Sequence, residues 1–179
     1  LAPPLPVDTS AQLLRDKQLV YAHSRLQIVV PSAWLRRHVQ QSVLRNHPVE
    51  MIHNGIETSG FKPYDKAAAR QRLGLPNDRI LIGTVAIGGS LDNPWKGGSC
   101  TQAVMDRVRS RYPNSVFVSI GGSGSKLLAN VIQLPHIAEE SELAMAYSAL
   151  DIFLYTPLAD NCPLVVLEAM SCGLPIVSF

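Results

Sequence analysis

The chain has 179 residues, of which 46% are hydrophobic and 17% charged, and its formal net charge is +2. This length and apolar content allow one domain plus part of another, each with a buried core. The weak positive charge argues against a nucleic-acid-binding protein, and no run of about 20 apolar residues that could cross a membrane is present.

The N-terminus and the cysteines narrow the class further. Residues 1–6 (LAPPLP) lack the basic-then-apolar order of a signal peptide, so we expect a cytoplasmic location. The three cysteines, Cys100, Cys162 and Cys172, show neither metal-site spacing nor the even number of a disulfide framework. We therefore expect free thiols and no metal site.

The first part of the chain alternates short strands and helices. Ser32 is a good N-cap for a helix, Asn54-Gly55 marks a turn, and Gly74 is a typical helix stop. The predicted elements are a strand over 26–30, a helix from about 33 to 45, a strand over 49–53 and a helix over 65–73.

From Arg79 onward, strands and helices alternate regularly, which predicts an α/β fold with a parallel sheet and right-handed crossovers. We predict a boundary between two lobes between Gly74 and Asp78, which divides the chain into residues 1–76 and 77–179. The predicted strands are 80–86, 115–120, 131–134 and 151–155, with a further strand from 175, and the predicted helices are 98–111, 139–150 and one from Pro163.

The last part of the chain carries only acidic charges. The charged residues after Lys126 are all carboxylates: Glu139, Glu140, Glu142, Asp151, Asp160 and Glu168. An anionic ligand bound here must be held mainly by backbone dipoles and by a base from earlier in the chain. Lys96 is the candidate for that base.

Residues 160–175 (DNCPLVVLEAMSCGLP) are the most informative stretch. Asp160 follows a buried strand, Pro163 fits the first turn of a helix, and Gly173 closes that helix at the C′ position. Ligands bind at such strand-to-helix loops in open parallel sheets, and the N–H groups of the helix N-terminus suit a phosphate. Glu168, about one and a half turns in, lies on an otherwise apolar helix and needs a partner such as a sugar or ribose hydroxyl.

The spacing of Asp160 and Glu168, followed by Ala-Met-x-Cys-Gly-x-Pro-Ile-Val, resembles the acid-x7-Glu signature of family-4 retaining glycosyltransferases with the GT-B fold. The resemblance implies a Rossmann-like parallel sheet with helices on both faces, here an incomplete donor-binding lobe. It implies that Asp160 contacts the hydroxyls of the donor sugar and that Glu168 binds the ribose. It also implies that a loop holds sugar and diphosphate through backbone amides, and this loop comprises Asn161, Cys162, Pro163 and Leu164.

The chain departs from the family pattern at Asp160, where Glu is usual, and at residues 161–163 (NCP), where Gly-Phe-Gly is common. This variant is similar to a subset that assembles bacterial surface polysaccharides. Because Asp is one methylene shorter than Glu, it reaches a different hydroxyl, and the identity of the donor sugar stays open.

Residues 30–35 (VPSAWL) and 52–57 (IHNGIE) resemble the end of the N-terminal half of the same enzymes. The chain does not begin with Met, and it stops where residues 175–179 (PIVSF) enter a predicted buried strand. We therefore expect a partial chain. It would contain the end of an N-terminal acceptor lobe, an inter-lobe hinge and most of the donor-binding lobe.

Lys96 lies in a Trp-Lys-Gly-Gly run that resembles the family's Lys-Gly element, whose Lys contacts the donor diphosphate. An ammonium beside a helix N-terminus suits a leaving phosphate, and a solvated loop lysine is the alternative. The family usually has an Arg several residues earlier, whereas residues 86–90 here are AIGGS. The second cation is therefore missing or comes from elsewhere.

Residues 121–126 (GGSGSK) follow a predicted strand but lack the Gly-Lys-Ser/Thr order of a P-loop. They resemble the family's Gly-x-Gly turn near the donor site, which implies donor contacts at Gly121 and Gly122. The family places backbone contacts to the nucleotide base around residues 133–135, so Leu134 is a further candidate.

The predicted function is transfer of a glycosyl group from a UDP- or GDP-linked sugar to a saccharide or lipid-linked acceptor, with retention and without metal or cofactor. Asp160 and Lys96 are the predicted catalytic residues. One alternative is a GT-B epimerase of nucleotide sugars, and another is a silent lobe that binds nucleotide or serves as a partner subunit. Basic residues could also form a face for peripheral contact with an anionic inner-membrane surface, although a solvated helix face is favoured: Arg36, Arg37, His38 and Arg45.

Overall fold

The computed structural model describes residues 8–86, 88–89, 91, 93–122 and 131–178, so the predicted last strand residue, Phe179, lies outside it. The chain divides into two compact units, Leu1–Asn54 and Gly55–Phe179. This division comes before the predicted boundary at residues 76 and 77. The reason is that Phe61, Ala69 and Leu75 are buried in the main core of the second unit. The assignment of acceptor and donor-binding lobes stays a prediction.

The described residues of the first unit form two helices and two parallel strands: α1 (Ser10–Ala22), β1 (Ile28–Val30), α2 (Ala33–Gln40) and β2 (Val49–Met51). Ser32 caps α2 as predicted, since its hydroxyl accepts a hydrogen bond from the Leu35 N–H at 3.1 Å. The helix ends at Gln40, before the predicted end at Arg45. Two residues later, the Ser42 hydroxyl donates to the Val39 carbonyl and competes with the helical hydrogen bonds. α1 was not predicted, because it buries no residue and shows no apolar face.

The second unit is built on a five-stranded sheet with the order β5-β4-β3-β6-β7, in which every neighbouring pair is parallel. This confirms the predicted α/β class. Its elements are α3 (Lys66–Leu73), β3 (Ile80–Val85), a 3-10 turn (Pro94–Lys96), α4 (Gly98–Arg111), β4 (Ser115–Ile120), β5 (Val131–Leu134), α5 (Glu140–Ser148), β6 (Ile152–Tyr155), α6 (Leu164–Ser171) and β7 (Ile176–Ser178).

The ends of α3 and α6 follow from local sequence. Asp65, predicted as the first residue of α3, is instead its N-cap and accepts a hydrogen bond from the Ala68 N–H at 2.8 Å. Gly74 ends the helix in the left-handed region, as predicted. Gly173 likewise follows α6 with a φ of 72°. Pro163, however, is the N-cap residue of α6 with a ψ of 123°, so it precedes the first turn instead of lying within it.

Helices cover both faces of this sheet, as the family resemblance implies. On one face, Met105 of α4 packs against Ile82, Phe117 and Leu154. The larger core, which includes Leu81, lies on the other face, since neighbouring residues of a strand point to opposite sides. Helices α3, α5 and α6 supply buried residues to it, including Ala69, Ala144, Tyr147 and Ala169. Among the helices of the described residues, none is long and apolar enough to cross a bilayer.

Arg70 links α3 to the end of the sheet at which its parallel strands begin, here called the amino-terminal edge; the end at which they finish is the carboxyl-terminal edge. Its side chain is nearly buried, at 6% exposure, and its Nη2 lies 2.7 Å from Asp151 Oδ2. Its Nε donates to the Ala149 carbonyl at 2.8 Å, and its Nη1 donates to the carbonyls of Asn77 and Arg79. The guanidinium therefore joins α3 to the segments that enter β3 and β6.

Candidate functional site

The strand order places a switch point between β3 and β6. From β3 the chain adds β4 and β5 on one side of the sheet, and from β6 it adds β7 on the other. The loops that follow β3 and β6 therefore run in opposite directions, which opens a crevice at the carboxyl ends of these strands. The lining residues are Thr84, Val85, Ala86, Lys96, Leu154, Tyr155, Thr156 and Pro157.

Local backbone structure carries Lys96 into this crevice. Asn93 caps the 3-10 turn, where its Oδ1 accepts hydrogen bonds from the N–H groups of Trp95 and Lys96. Gly97 follows with a φ of 71°, and a Cβ added there would lie 1.6 Å from the Thr156 carbonyl oxygen. Only glycine therefore lets the loop after β3 approach the loop after β6 so closely.

A buried hydrogen bond between two threonines also joins the start of α4 to the loop after β6. The hydroxyls of Thr101 on α4 and Thr156 lie 2.7 Å apart, and both residues are buried. The Leu158 N–H also donates to the Trp95 carbonyl at 3.3 Å. The start of α4 and the loop after β6 thus form one hydrogen-bonded unit.

Asp160 forms an ion pair with Lys96, which lines the crevice. Its Oδ2 accepts from the Tyr155 hydroxyl at 2.5 Å and lies 3.4 Å from Lys96 Nζ, while its Oδ1 accepts from the Asn161 N–H at 2.8 Å. Burial acts to raise the pKa of Asp160, but the hydrogen bonds from Tyr155 and Asn161 and the charge of Lys96 together lower it below its ordinary value. The carboxyl group is therefore an anion with acceptor capacity left for a ligand.

Glu168 lies on α6, where its Oε2 accepts a hydrogen bond from the Tyr147 hydroxyl at 2.8 Å. Burial raises the pKa of Glu168 above its ordinary value of 4.5, the hydrogen bond from Tyr147 opposes this change, and the charge of Glu140 adds to it. Within the described part of the chain, no hydrogen bond or ion pair joins Glu168 to Lys96 or Asp160. The two acids of the signature therefore have separate surroundings.

The loop before α6 offers fewer amides than its four residues suggest. Pro163 has no N–H group, and the Asn161 N–H is bonded to Asp160. Pro163 therefore cannot act as a backbone donor to a diphosphate, which corrects its predicted role as an amide donor. The N–H of Leu164 belongs to the first turn of α6, where helical N–H groups have no acceptor within the helix.

Two glycine turns border the same edge of the sheet. The Gly121 N–H donates to the Leu134 carbonyl at 3.1 Å, so the structure brings these two predicted donor contacts together. A Cβ on Gly89 would lie 3.2 Å from the Gly122 Cα, which shows that the turns after β3 and β4 touch through their backbones. The remainder of the predicted glycine turn, residues 123–126, lies outside the described residues, as do Ile87 and Ser90.

Several residues of this site were not identified from the sequence. Asn93 had a recognisable signal, because Asn before Pro-Trp-Lys is a good cap for a helical turn. Tyr147, Tyr155 and Thr156 had none, since a tyrosine or threonine in an apolar segment is indistinguishable from core. Among the described residues, no group of three or more His, Cys, Asp or Glu could hold a metal ion.

Residues 82–179 match the family described as glycosyl transferases group 1. A D-inositol 3-phosphate glycosyltransferase from Thermobispora bispora is 30% identical over 148 residues, which cover 73% of this chain and 34% of that protein. The chain therefore spans about a third of the length of such curated relatives.

Solved structures show the same fold. Sucrose-phosphate synthase from Thermosynechococcus elongatus superposes with a TM-score of 0.75 and 20% identity, over 97% of this chain and 46% of that one. The Anabaena protein HepE in complex with UDP-glucose gives a TM-score of 0.67 and 20% identity, over 94% of this chain and 49% of that one. These likenesses place the parallel sheet and its helices in the GT-B fold.

Proposed function

The chain belongs to the group 1 glycosyl transferases, and from that premise we propose that it carries the nucleotide-sugar site of a retaining glycosyltransferase. The acceptor is a saccharide or a lipid-linked saccharide, and the pathway is assembly of a surface polysaccharide. The observation that carries this proposal is the meeting of Lys96 and Asp160 at the switch point of the sheet. A complex of a similar protein with UDP-glucose supports a nucleotide-sugar donor.

The geometry of the Lys96–Asp160 pair suits exchange with a ligand. The two charged atoms are 3.4 Å apart, and the side chains are 43% and 26% exposed. An ion pair this long and this accessible contributes little to stability. A diphosphate can therefore replace Asp160 as the partner of the Lys96 ammonium at a small cost in free energy. Asp160 then accepts hydrogen bonds from hydroxyls of the donor sugar.

The reaction needs stabilisation of a leaving nucleoside diphosphate. As the bond from the anomeric carbon to the diphosphate oxygen breaks, its electron pair stays with the diphosphate and an oxocarbenium-like sugar forms. Lys96 and the N–H groups at the start of α6 stabilise the charge that develops on the diphosphate. The acceptor hydroxyl then attacks from the face that the diphosphate leaves, which retains the configuration, and its proton passes to the departing diphosphate oxygen.

The remaining contacts hold the nucleoside. Glu168 accepts hydrogen bonds from the ribose hydroxyls, which supply the polar partners that a half-buried carboxylate needs. The glycine turn at Gly121 and Gly122 and the backbone near Leu134 border the path to the base. UDP and GDP are both candidates for the nucleotide, and no metal or cofactor takes part.

A silent nucleotide-binding lobe is the second candidate. It is favoured by two observations: residues 86–90 contain no arginine, and the Asn161 N–H already donates to Asp160. Fewer donors then remain for the diphosphate than in the family pattern. A nucleotide-sugar epimerase is the remaining alternative, and its product would be the epimeric nucleotide sugar instead of a glycoside.

The location of the enzyme is part of the same proposal. We place it in the cytoplasm, where α2 could contact an anionic membrane surface through Arg36 and Arg37. Binding of the full-length protein to vesicles with and without anionic lipid tests the membrane contact. Equal binding to both vesicles would remove it.

The function is tested by assaying the natural full-length protein with a panel of UDP- and GDP-sugars and analysing the products by NMR. We expect release of nucleoside diphosphate, a new glycosidic bond with the anomeric configuration of the donor, and no loss of activity with a chelator. Nucleotide binding without turnover of any donor would establish the silent lobe, and an inverted product would contradict retention.

A further inference from the structure

Each acid of the signature accepts a hydrogen bond from its own tyrosine. The Tyr155 hydroxyl donates to Asp160 at 2.5 Å, and the Tyr147 hydroxyl donates to Glu168 at 2.8 Å. The tyrosines come from different elements, since Tyr155 ends β6 and Tyr147 lies on α5. Two independent elements thus supply the same chemical group to the two acids.

Both tyrosines pack against Phe153. The Tyr147 and Phe153 ring centroids are 5.6 Å apart with nearly perpendicular planes, and those of Phe153 and Tyr155 are 6.1 Å apart and stacked. Phe153 is fully buried in β6 and pairs with both neighbouring strands, through Gly83 and Ile176. The rings that carry the two hydroxyls therefore pack against the same rigidly held side chain in the sheet.

We propose that Tyr147 and Tyr155 are positioning residues that fix Glu168 and Asp160 for the nucleotide sugar, with Phe153 as their common support. This inference rests on the proposed function and assigns the tyrosines to different parts of the donor. Tyr155 orients the acid that meets the sugar, and Tyr147 orients the acid that meets the ribose.

Phenols suit this task because they remain donors. Burial raises the pKa of both tyrosines well above its ordinary value, and the carboxylate beside each one raises it further. Each phenol therefore keeps its proton throughout the physiological pH range. A tyrosine is also rigid, so the acid it holds loses little further freedom when the donor binds.

The hydrogen bonds also act on the charge of the two acids. Asp160 is faced by Tyr155 from β6, by Lys96 from the 3-10 turn and by the Asn161 N–H. Removing the Tyr155 hydroxyl takes away one group that favours the carboxylate, so the pKa of Asp160 should rise.

Glu168 has fewer favourable partners. It is faced by Tyr147 and by the charge of Glu140, both from α5, and by Cys172 after α6. Tyr147 is the partner that favours its charged form, so loss of this hydroxyl should raise the pKa of Glu168 further.

The test compares Tyr155→Phe and Tyr147→Phe in the full-length protein, with Tyr112→Phe as the control. Phenylalanine keeps the ring packing and removes only the hydroxyl, and Tyr112 is an exposed tyrosine after α4. We expect Tyr155→Phe to lower kcat about tenfold, to leave affinity for free UDP or GDP within twofold, and to move the acid limb of kcat/KM to higher pH.

Tyr147→Phe should instead weaken nucleotide binding and leave kcat nearly unchanged. We expect affinity for the free nucleotide to fall about three- to tenfold, with a larger loss at lower pH, while kcat at saturating donor changes less than twofold. Carboxyl titrations by NMR should show a raised pKa for Asp160 in the first variant and for Glu168 in the second.

Unchanged carboxyl titrations in both variants, or variants that lower only the melting temperature, would overturn the positioning role. A wild-type protein that binds no nucleotide would overturn the proposed function instead, and the carboxyl titrations would still decide whether each tyrosine controls its acid. The two failures are therefore distinguishable.

Discussion

Two aspartates at opposite ends of β6 have the same kinds of partners but different surroundings. Asp151, just before β6, pairs with Arg70 and Lys66 at 2.7 Å each and accepts the Leu81 N–H at 2.8 Å. Asp160, in the loop after β6, is 3.4 Å from Lys96. The amino-terminal edge of the sheet is thus tightly paired, whereas the carboxyl-terminal edge has a loose ion pair beside a crevice.

The tight pairing of Asp151 and the loose pairing of Asp160 point to different roles, one in stability and the other in ligand binding. At the amino-terminal edge, the nearly buried Arg70 guanidinium has protein acceptors for its Nε and both terminal nitrogens, so a ligand would have to displace good hydrogen bonds. At the carboxyl-terminal edge, ligand contacts replace a weak ion pair and water. We infer that the first network holds the fold and the second one is available for function.

The largest expected effect is loss of the Arg70 network. Arg70→Ala leaves Asp151 and several carbonyls without their donor, so we expect the free energy of unfolding to fall by about 3 kcal/mol. Urea denaturation measures this change. Arg72→Ala, on the same helix as Arg70, removes an exposed arginine that pairs with Glu142 of α5, and it should cost far less. Equal losses in the two variants would contradict the structural role of Arg70.

The second prediction contrasts two lysines that each pair with an aspartate. Lys96→Ala should lower kcat about a hundredfold, because the lysine matters most when charge develops on the leaving diphosphate. Lys66→Ala removes a half-exposed lysine from Asp151 and should leave kcat within twofold. Steady-state kinetics of the full-length variants measure both. A similar loss of kcat in both would make the effect of Lys96 nonspecific.

The third prediction concerns nucleotide affinity. Glu168→Gln keeps an acceptor for the Tyr147 hydroxyl but removes the charge that strengthens hydrogen bonds to ribose, so affinity for the nucleotide should fall about tenfold. Calorimetric titration with UDP and GDP measures it, and Glu142→Gln, at a partly exposed position of α5 that pairs with Arg72, should not change it. Unaltered affinity in Glu168→Gln would remove the ribose role.

The smallest expected effect is a pH-dependent change in stability. The pKa of Glu168 is higher in the folded protein than in the unfolded chain, because burial disfavours the charged carboxylate. The folded protein is therefore more stable when Glu168 is protonated, and it loses this extra stability as the pH rises through the raised pKa. Glu168→Gln, which is neutral at every pH, should match the wild type near pH 4 and be slightly more stable at pH 7.5. Thermal melts across this range test the sign, and a less stable variant at pH 7.5 would contradict it.

The sequence predicted the elements and the residues that have local signals. Ser32, Gly74 and Gly173 act at helix ends as predicted, and the alternation after Arg79 predicted the parallel sheet. Lys96 and Asp160 were predicted as catalytic residues that contact different parts of the donor, and in the structure their charged groups lie 3.4 Å apart.

The features that the sequence did not reveal depend on contacts between residues that lie apart in the chain. The unit boundary precedes the predicted one because the segment around Phe61 and Leu75 finds its core in the second unit, which no local signal reveals. The hydroxyls of Tyr147 and Tyr155 have partners 21 and 5 residues away, and tyrosine in an apolar segment gives no sign of them. The bond from the Asn161 N–H to Asp160 depends on side-chain geometry that spacing does not fix.

The most direct test of the account is an NMR titration of the 179-residue chain with UDP or GDP, with backbone amides as reporters. Binding at the carboxyl-terminal edge should shift amides in residues 93–98 and 156–168. The other edge of the sheet has a cavity of about 130 Å³ lined by residues that include Tyr64, Lys66 and Pro175. Shifts that cluster around that cavity, or none at millimolar nucleotide, would contradict a donor site built on Lys96 and Asp160.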